Sequence, residues 1–256
     1  MKTIIFNFLI VLLFNNGLSL ADGFENYLGK GDSFYKSFNF VAAIGQYEKA
    51  YAIAPNEFEV LSKLTRTYND LSEEYYEKKD EKNAERSVNQ GLKYAEEFYK
   101  KFPDSAGVYA YLAWSYGNLA LYKGGNEKVK LAHKIKENAE ESIRKNPNDY
   151  LPYIILGIYH RQIASLSWLE KLFAETFFGD VPEGTLEESE KYLLKALEIK
   201  PGVVIATFHL SLAYKEMGDE EKEIRTLRKV LDLPEKDFRD KYAKRKSERR
   251  LKELMD

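Results

Sequence analysis

The chain has 256 residues, of which 44% are hydrophobic and 31% charged, so it can bury a sizeable core and is not a disordered polypeptide. Its 39 basic and 41 acidic residues nearly cancel, which argues against general nucleic-acid binding. The lack of cysteine excludes disulfides and a lipoprotein-anchor thiol, so packing alone must stabilise the fold.

The first 21 residues have the pattern of a signal peptide. Lys2 precedes an apolar run over residues 4–14, and Ser19 and Ala21 place small residues just ahead of Asp22, as at a secretory cleavage site. The run is shorter than the roughly 20 residues of a transmembrane helix, although an uncleaved anchor is the alternative. We expect cleavage after Ala21 and export, to the periplasm of a bacterial cell.

A recurring set of large, small and aromatic residues predicts pairs of antiparallel helices. Small residues let the two helices of a pair approach closely, and a proline ends the second helix because it has no N–H to donate. The spacing resembles the tetratricopeptide repeat, which implies an all-α superhelix of stacked helix pairs. In the first unit the residues that carry it are Tyr27, Gly31, Phe34, Ala43, Tyr47, Ala50 and Pro55.

The closing proline recurs at Pro103, Pro147 and Pro201, and the first-helix pattern follows each of them. We therefore predict about five units in one domain over residues 22–234. Several units exceed the usual length of about 34 residues. We predict longer helices on either side of Lys79 in the second unit, more modest extension in the third, and an extra helix in the fourth.

The extra helix is predicted from Leu166 to Phe178. Four apolar residues fall on one helical stripe there, and a tryptophan lies beside it. Ordering this segment costs roughly 1–2 kcal/mol per residue of backbone entropy, so it must be docked, and we expect it against the C-terminal units. Whether it is a fixed wall or a mobile lid stays open. The residues concerned are Leu166, Trp168, Leu169, Phe173 and Phe177.

The same region resembles the regulator of microtubule dynamics family over about residues 150–233. The resemblance implies a non-enzymatic helical adaptor. One family member's domain binds phospholipid in its concavity, which makes a lipid ligand the alternative. The sequence departs from the family pattern in having a single proline at Pro182, and Leu186 and Ser189 where Tyr and Ala are commoner. The residues that carry the resemblance are residues 166–170, Phe178, Gly179, Pro182, Thr185, Glu188, Tyr192, Lys195, Ala196, Pro201, Leu212, Ala213, Tyr214 and Gly218.

The groove-lining positions of tetratricopeptide arrays can be placed on this sequence by their offset from each closing proline. They predict a concave surface that is polar in its N-terminal half and apolar in its C-terminal half, with exposed cations at its rim. An amphipathic protein segment or an acidic lipid head group would suit it, and plain core packing is the alternative for the apolar members. The candidate residues are Arg66, Asn69, Trp114, Asn118, Ile154, Ile158, Arg161, Gln162, Phe208, Leu212 and Lys215.

One known binding mode is excluded. Chaperone-binding arrays clamp a C-terminal carboxylate with Lys and Asn, and the corresponding residues here are Leu28 and Asp32. The basic segment over residues 235–256 predicts a terminal helix with a solvated face, and membrane-surface contact through residues 242–252 is the less favoured interpretation.

No pattern of catalytic, cofactor or metal-binding residues is found. The three histidines, His133, His160 and His209, lie in separate units without paired ligand spacing, and His160 is expected to be partly buried and hydrogen-bonded. Neither a phosphate-binding Gly-rich loop nor a nucleophile elbow is present. The leading hypothesis is therefore an exported, non-catalytic adaptor that binds a protein segment. The alternative is a carrier of a small hydrophobic or lipid ligand.

Overall fold

The computed structural model describes residues 21–166 and 183–256. This part of the chain contains α-helices and no β-strand, which confirms the predicted all-α class. None of its helices is long and apolar enough to cross a membrane. The predicted signal peptide and the predicted extra helix beyond Leu166 lie outside the described residues. The helices are residues 21–36 (α1), Phe40–Ile53 (α2), Phe58–Glu77 (α3), Glu81–Lys101 (α4), Ala106–Ala120 (α5), Gly125–Lys145 (α6), Leu151–Ala164 (α7), Leu186–Ile199 (α8), Val204–Met217 (α9), Glu220–Asp232 (α10) and Phe238–Met255 (α11).

Within the described residues, helices α1 to α10 form five consecutive pairs, α1–α2 to α9–α10, which we call units one to five. Neighbouring pairs pack on each other in chain order, as in a superhelix of stacked repeats. Each predicted closing proline lies two residues beyond the end of a second helix, and the C-cap residue lies between them. The prolines therefore mark the boundaries between units.

Short polar side chains begin several of these helices. Asn39, Asp80, Thr185 and Asp219 each accept a hydrogen bond from a backbone N–H in the first turn, at 3.0–3.2 Å. Such caps satisfy donors that the helix itself leaves unpaired. Thr185 is thus the N-cap of α8. The carboxylate of Glu188, in the first turn of this helix, pairs with Lys191 at 2.9 Å.

Helix length differs between units as the sequence predicts. In unit two α3 and α4 have 20 and 21 residues, against 14 in α2 and α7. The turn between them includes Lys79, which has a positive φ of 61°. In unit three only the second helix, α6, reaches 21 residues, because α5 ends at Ala120. The last residues of α3, among them Glu73, Tyr76 and Glu77, lie on the inner side of the array.

The two helices of unit one approach closely at a glycine. A Cβ added to Gly31 would lie 2.3 Å from Cε1 of Tyr47, whose ring is fully buried. The Tyr47 hydroxyl donates to Asp32 at 2.7 Å, so the ring cannot move away without losing that bond. Residue 31 must therefore be small because the two helices pack closely at this point, as the repeat pattern predicts.

We predict that Gly31→Ala destabilises the protein by about 1–3 kcal/mol, because the new methyl group overpacks against Tyr47. Gly29 lies two residues away in the same helix, and a Cβ added there would meet nothing within 4 Å. Gly29→Ala should therefore raise stability by up to about 1 kcal/mol. Urea unfolding measures the stability change of each variant. Equal changes would show that helix propensity, and not packing against Tyr47, determines the effect.

Candidate functional site

A cavity of about 1110 Å³ lies on the inner side of the array. Its walls come from the first helices of units two to five, α3, α5, α7 and α9, with α6 and α11. The apolar side chains Ile154, Ile158, Phe208 and Leu212 form much of the wall in units four and five. The C-terminal helix α11 runs along the cavity and presents Tyr242, among other residues, to it. The superhelix and α11 thus line the cavity together.

Eight of the eleven predicted groove residues line this cavity, and three do not. Asn69 is fully buried and donates to Ser115 at 2.8 Å, while Asn118 donates to it at 3.1 Å, so it joins α3 to α5. Arg66 stacks over the ring of Tyr35 with 4.0 Å to its centroid. The third exception is Arg161. The eight lining residues are Trp114, Asn118, Ile154, Ile158, Gln162, Phe208, Leu212 and Lys215.

The polar half of the predicted groove is occupied by the start of α11. The Arg239 guanidinium lies 3.3 Å from carboxylate oxygens of both Asp70 and Glu73, and 5.0 Å from the Trp114 ring centroid. Trp114 in turn donates from its indole N–H to Glu73. Asp237 completes the cluster through a hydrogen bond of 2.7 Å from Nε of Arg239. This charged cluster is part of the wall and not an open polar surface.

Asp70 is the deepest acid of this cluster. Its side chain is fully buried and accepts a hydrogen bond of 2.6 Å from the Tyr35 hydroxyl at Oδ2. Its Oδ1 has no hydrogen-bond partner among the described residues. Burial raises the pKa of this carboxyl to about 7, while the Arg239 guanidinium acts in the opposite direction.

A family model described as Regulator of microtubule dynamics protein 1-3 matches residues 27–255. The chain belongs to this family. Regulator of microtubule dynamics protein 3 of Rattus norvegicus is 30% identical over 175 residues, which cover 68% of this chain and 36% of that protein. Regulator of microtubule dynamics protein 2 of Mus musculus is 26% identical over 77% of this chain and 48% of its own length. The chain thus spans less than half the length of either relative.

The fold has a counterpart among solved structures. The thermophilic TPR protein TTC0263 of Thermus thermophilus aligns with a TM-score of 0.63 at 19% identity, over 88% of this chain and 98% of that one. At this identity the likeness shows the fold alone, and it confirms the tetratricopeptide-like superhelix. The family resemblance predicted from residues 150–233 is likewise confirmed, and it extends over nearly the whole chain.

In this member of the regulator of microtubule dynamics family, several cations line the cavity without an acidic partner. Lys128, Lys215 and Arg249 make no ion pair within the described ranges 21–166 and 183–256. Lys200 also lines the cavity and lies over the Tyr150 ring, 4.1 Å from its centroid. Of these, only Lys215 was predicted from the sequence, because the others lie on second helices, on α11 or at a unit boundary. An apolar cavity with unpaired cations favours a ligand that is apolar and anionic.

In this member of the regulator of microtubule dynamics family, His160 and His209 each have a buried ring nitrogen. The two histidines do not lie together in a cluster. His160 is buried, in line with the sequence prediction, and its ring stacks on Tyr192 at 5.3 Å. Burial lowers its pKa. The hydrogen bond predicted for it is not found at Nδ1, which has no partner in the described part of the chain. His209 lines the cavity, and its Nδ1 is also buried and without a hydrogen bond there. No group of residues suited to hold a metal ion occurs among the described residues.

Arg161 corrects the sequence prediction of an exposed groove cation. Its side chain is only 13% exposed and pairs with Glu216 on α9, which also accepts a hydrogen bond from Ser165. The pair therefore joins α7 of unit four to α9 of unit five. The offset from the closing proline placed the residue on the right helix, but it did not reveal an acid on the next unit.

We predict that Arg161→Glu lowers the free energy of unfolding by about 1–3 kcal/mol, between the values for exposed and buried pairs. Two carboxylates would then face each other across α7 and α9. The exchange variant Arg161→Glu with Glu216→Arg restores opposite charges and should recover at least half of the loss. Urea unfolding of the three proteins measures this. An unchanged single variant would support the original exposed placement.

His209 should make the fold sensitive to mild acid. Burial, helped by Arg161 and Lys246, lowers its pKa from 6.5 to about 3. The unfolded chain then binds a proton that the folded chain does not, so stability is lost as pH falls below about 6.5.

We predict that His209→Gln loses about 1–2 kcal/mol less stability than the wild type between pH 7 and pH 5. Chemical unfolding across this pH range measures the difference. Between pH 7 and pH 8 the two stability curves should run parallel, because the histidine is neutral in both states. Parallel curves over the whole range would contradict the prediction.

Proposed function

We propose that this protein is a non-catalytic helical-repeat scaffold that binds an amphipathic segment of a protein partner in its concave cavity. The observation that carries the proposal is α11, a helix that already lies along the inner side of the array and leaves an apolar space beside it. Stacked-repeat proteins use this inner surface for binding. Because the helix α11 fits on this inner side, the concave channel is wide enough to hold a helix.

The charge of the cavity favours a partner with acidic residues next to its apolar face. Lys128, Lys215 and Arg249 border apolar walls formed by residues such as Ile158 and Leu212. An amphipathic helix lays its apolar face into such a groove, and complementary charges set its orientation. The absence of any catalytic sequence motif supports a binding role over catalysis.

A hydrophobic or lipidic ligand is the second candidate. The observation that favours it is that α11 covers the cavity along one side. A small apolar molecule with an anionic group needs no open groove, whereas a protein segment needs room to enter. The same cations would bind the anionic group in either case.

One cross-linking experiment separates the two candidates. Ile158 lines the cavity, and we propose replacing it with a photoreactive p-benzoylphenylalanine in the native host. Leu194 on α8 is 46% exposed outside the cavity and serves as the control position. Illumination should yield a protein adduct from position 158 and none from position 194.

The remaining outcomes are also informative. A small-molecule adduct at position 158 would favour the lipidic ligand, and native mass spectrometry of the purified protein should then show it bound. Equal protein adducts at both positions, with no bound small molecule, would contradict a specific role for the cavity.

We further propose that the protein is exported and cleaved after Ala21, on the basis of the signal-peptide pattern in residues 1–21. An exported bacterial protein meets no microtubules, so the proposal includes no microtubule contact. The intact mass of the protein recovered from its native host tests this, and a membrane-bound species that starts at Met1 would contradict it.

A further inference from the structure

The outer face of α11 carries exposed basic side chains, Lys241, Arg245, Arg249 and Lys252, which we call the cationic row. Their spacing of three to four residues places them on one side of the helix. The opposite side of α11 is buried, so the cationic row faces away from unit five. The buried residues of that opposite side are Ala243, Ser247 and Leu251.

The cationic row differs from the other basic residues of α11 in its lack of acidic partners. Arg239, Lys246 and Arg250 pair with acids of α3 and α10. Within the described ranges 21–166 and 183–256, no member of the cationic row forms an ion pair. Glu248 lies on the same side of the helix and offsets one of the four charges. The row is therefore a positively charged surface that the protein itself does not neutralise.

The charge of this helix contrasts with that of the rest of the protein. The chain has 39 basic and 41 acidic residues, yet basic residues are in excess over residues 235–256. The remainder of the chain is consequently acidic. An anionic partner is therefore attracted to the cationic row and repelled elsewhere.

Exposed apolar side chains lie at both ends of the cationic row. Met255 is the last residue of α11 and is exposed. At the other end Phe238 lies seven residues before Arg245, on the same side of the helix, and Phe40 covers it with 5.0 Å between ring centroids. The ring of Phe38 lies 6.4 Å from that of Phe40 and is 46% exposed. The turn between α1 and α2 thus presents an aromatic ring beside the start of the row.

Phe38 is held at this position by its backbone. Its φ of 59° lies in the left-handed region, which is strained for a bulky residue, and its N–H donates to the carbonyl of Tyr35 at 2.9 Å. Phe34 and Val41 on either side of the turn are exposed as well. Apolar side chains that face water here would gain free energy on entering an apolar phase.

We propose that this side of α11 docks on a bilayer surface that contains anionic lipid. The cationic row lies along the head groups over about 16 Å of helix, and Phe38 and Met255 enter the interface at its two ends. A convex helix fits a flat layer of charge, whereas a protein partner anchors its side chains in pockets. The sequence alone favoured a solvated face, and the structure adds the unpaired charges and the flanking apolar groups. The docking does not depend on what the cavity binds.

Co-sedimentation with vesicles tests the docking. We expect the full chain to bind vesicles of phosphatidylcholine with about 30% phosphatidylglycerol at least tenfold more tightly than vesicles of phosphatidylcholine alone. Raising the ionic strength should release it. All comparisons use the same full chain, so any contribution of residues 1–21 is common to every variant.

The double variant Lys241→Gln with Arg245→Gln should weaken binding to the anionic vesicles by roughly tenfold to thirtyfold, because each cation near such a surface contributes about fivefold. Neither residue is among those that line the cavity, so lost ligand binding cannot explain the effect. Lys191→Gln with Lys195→Gln on α8 is the control. It removes the same charge at the same spacing, but these lysines are already paired with acids, and binding should change by less than about twofold.

The apolar contribution is measured with Phe38→Asn, because asparagine tolerates the left-handed backbone. This variant should bind the anionic vesicles at least about threefold more weakly. Leu194→Asn removes an apolar side chain of the same 46% exposure from α8 and should leave binding unchanged. Circular dichroism verifies that each variant is folded.

The docking is overturned if anionic and neutral vesicles bind equally, or if the double variant of Lys241 and Arg245 binds like the parent. Unchanged binding of Phe38→Asn would contradict insertion of the turn. Retention on immobilised poly-glutamate without binding to the vesicles would also overturn the bilayer and indicate an acidic protein partner.

Discussion

The arrangement of this protein depends on a guanidinium held between three carboxylates and an indole ring. Arg239 contacts Asp70, Glu73 and Asp237 and lies over Trp114, so it joins the start of α11 to units two and three. Removing one member of such a partly buried group leaves the remaining charges unpaired, which lowers the stability of the fold. Because α11 is also packed on unit five, this one contact brings distant parts of the superhelix together beside the cavity.

Much of the fold could be predicted because its signals are local. The closing prolines and Gly31 act on their own helix pair, and Lys79 marks the turn that separates two lengthened helices. In each case a few neighbouring residues decide the conformation through sterics or hydrogen-bond loss. The family resemblance similarly relied on a contiguous stretch of sequence.

The candidate site was predicted less completely, because its details depend on contacts between units. Asn69 and Arg161 lie on the predicted helices, but their partners Ser115 and Glu216 are 46 and 55 residues away. A periodic pattern gives the face of a helix and not the charge that another unit places opposite it. The position of α11 is the clearest case, since Arg239 and Glu73 are 166 residues apart in the sequence. Nothing in the basic composition of residues 235–256 indicates where that helix docks.

The contact between residues 73 and 239 also changes how the protein would fold. A simple solenoid is held by nearest-neighbour contacts, so it can grow from any unit and lose its terminal units one at a time. Here the final helix cannot dock fully until units two and five are both in place. Such a non-local contact requires the closure of a long loop, which costs chain entropy, so it is slow to form. Because α11 follows all five units along the chain, the units can form before it docks, and until then the apolar inner wall of the array faces water.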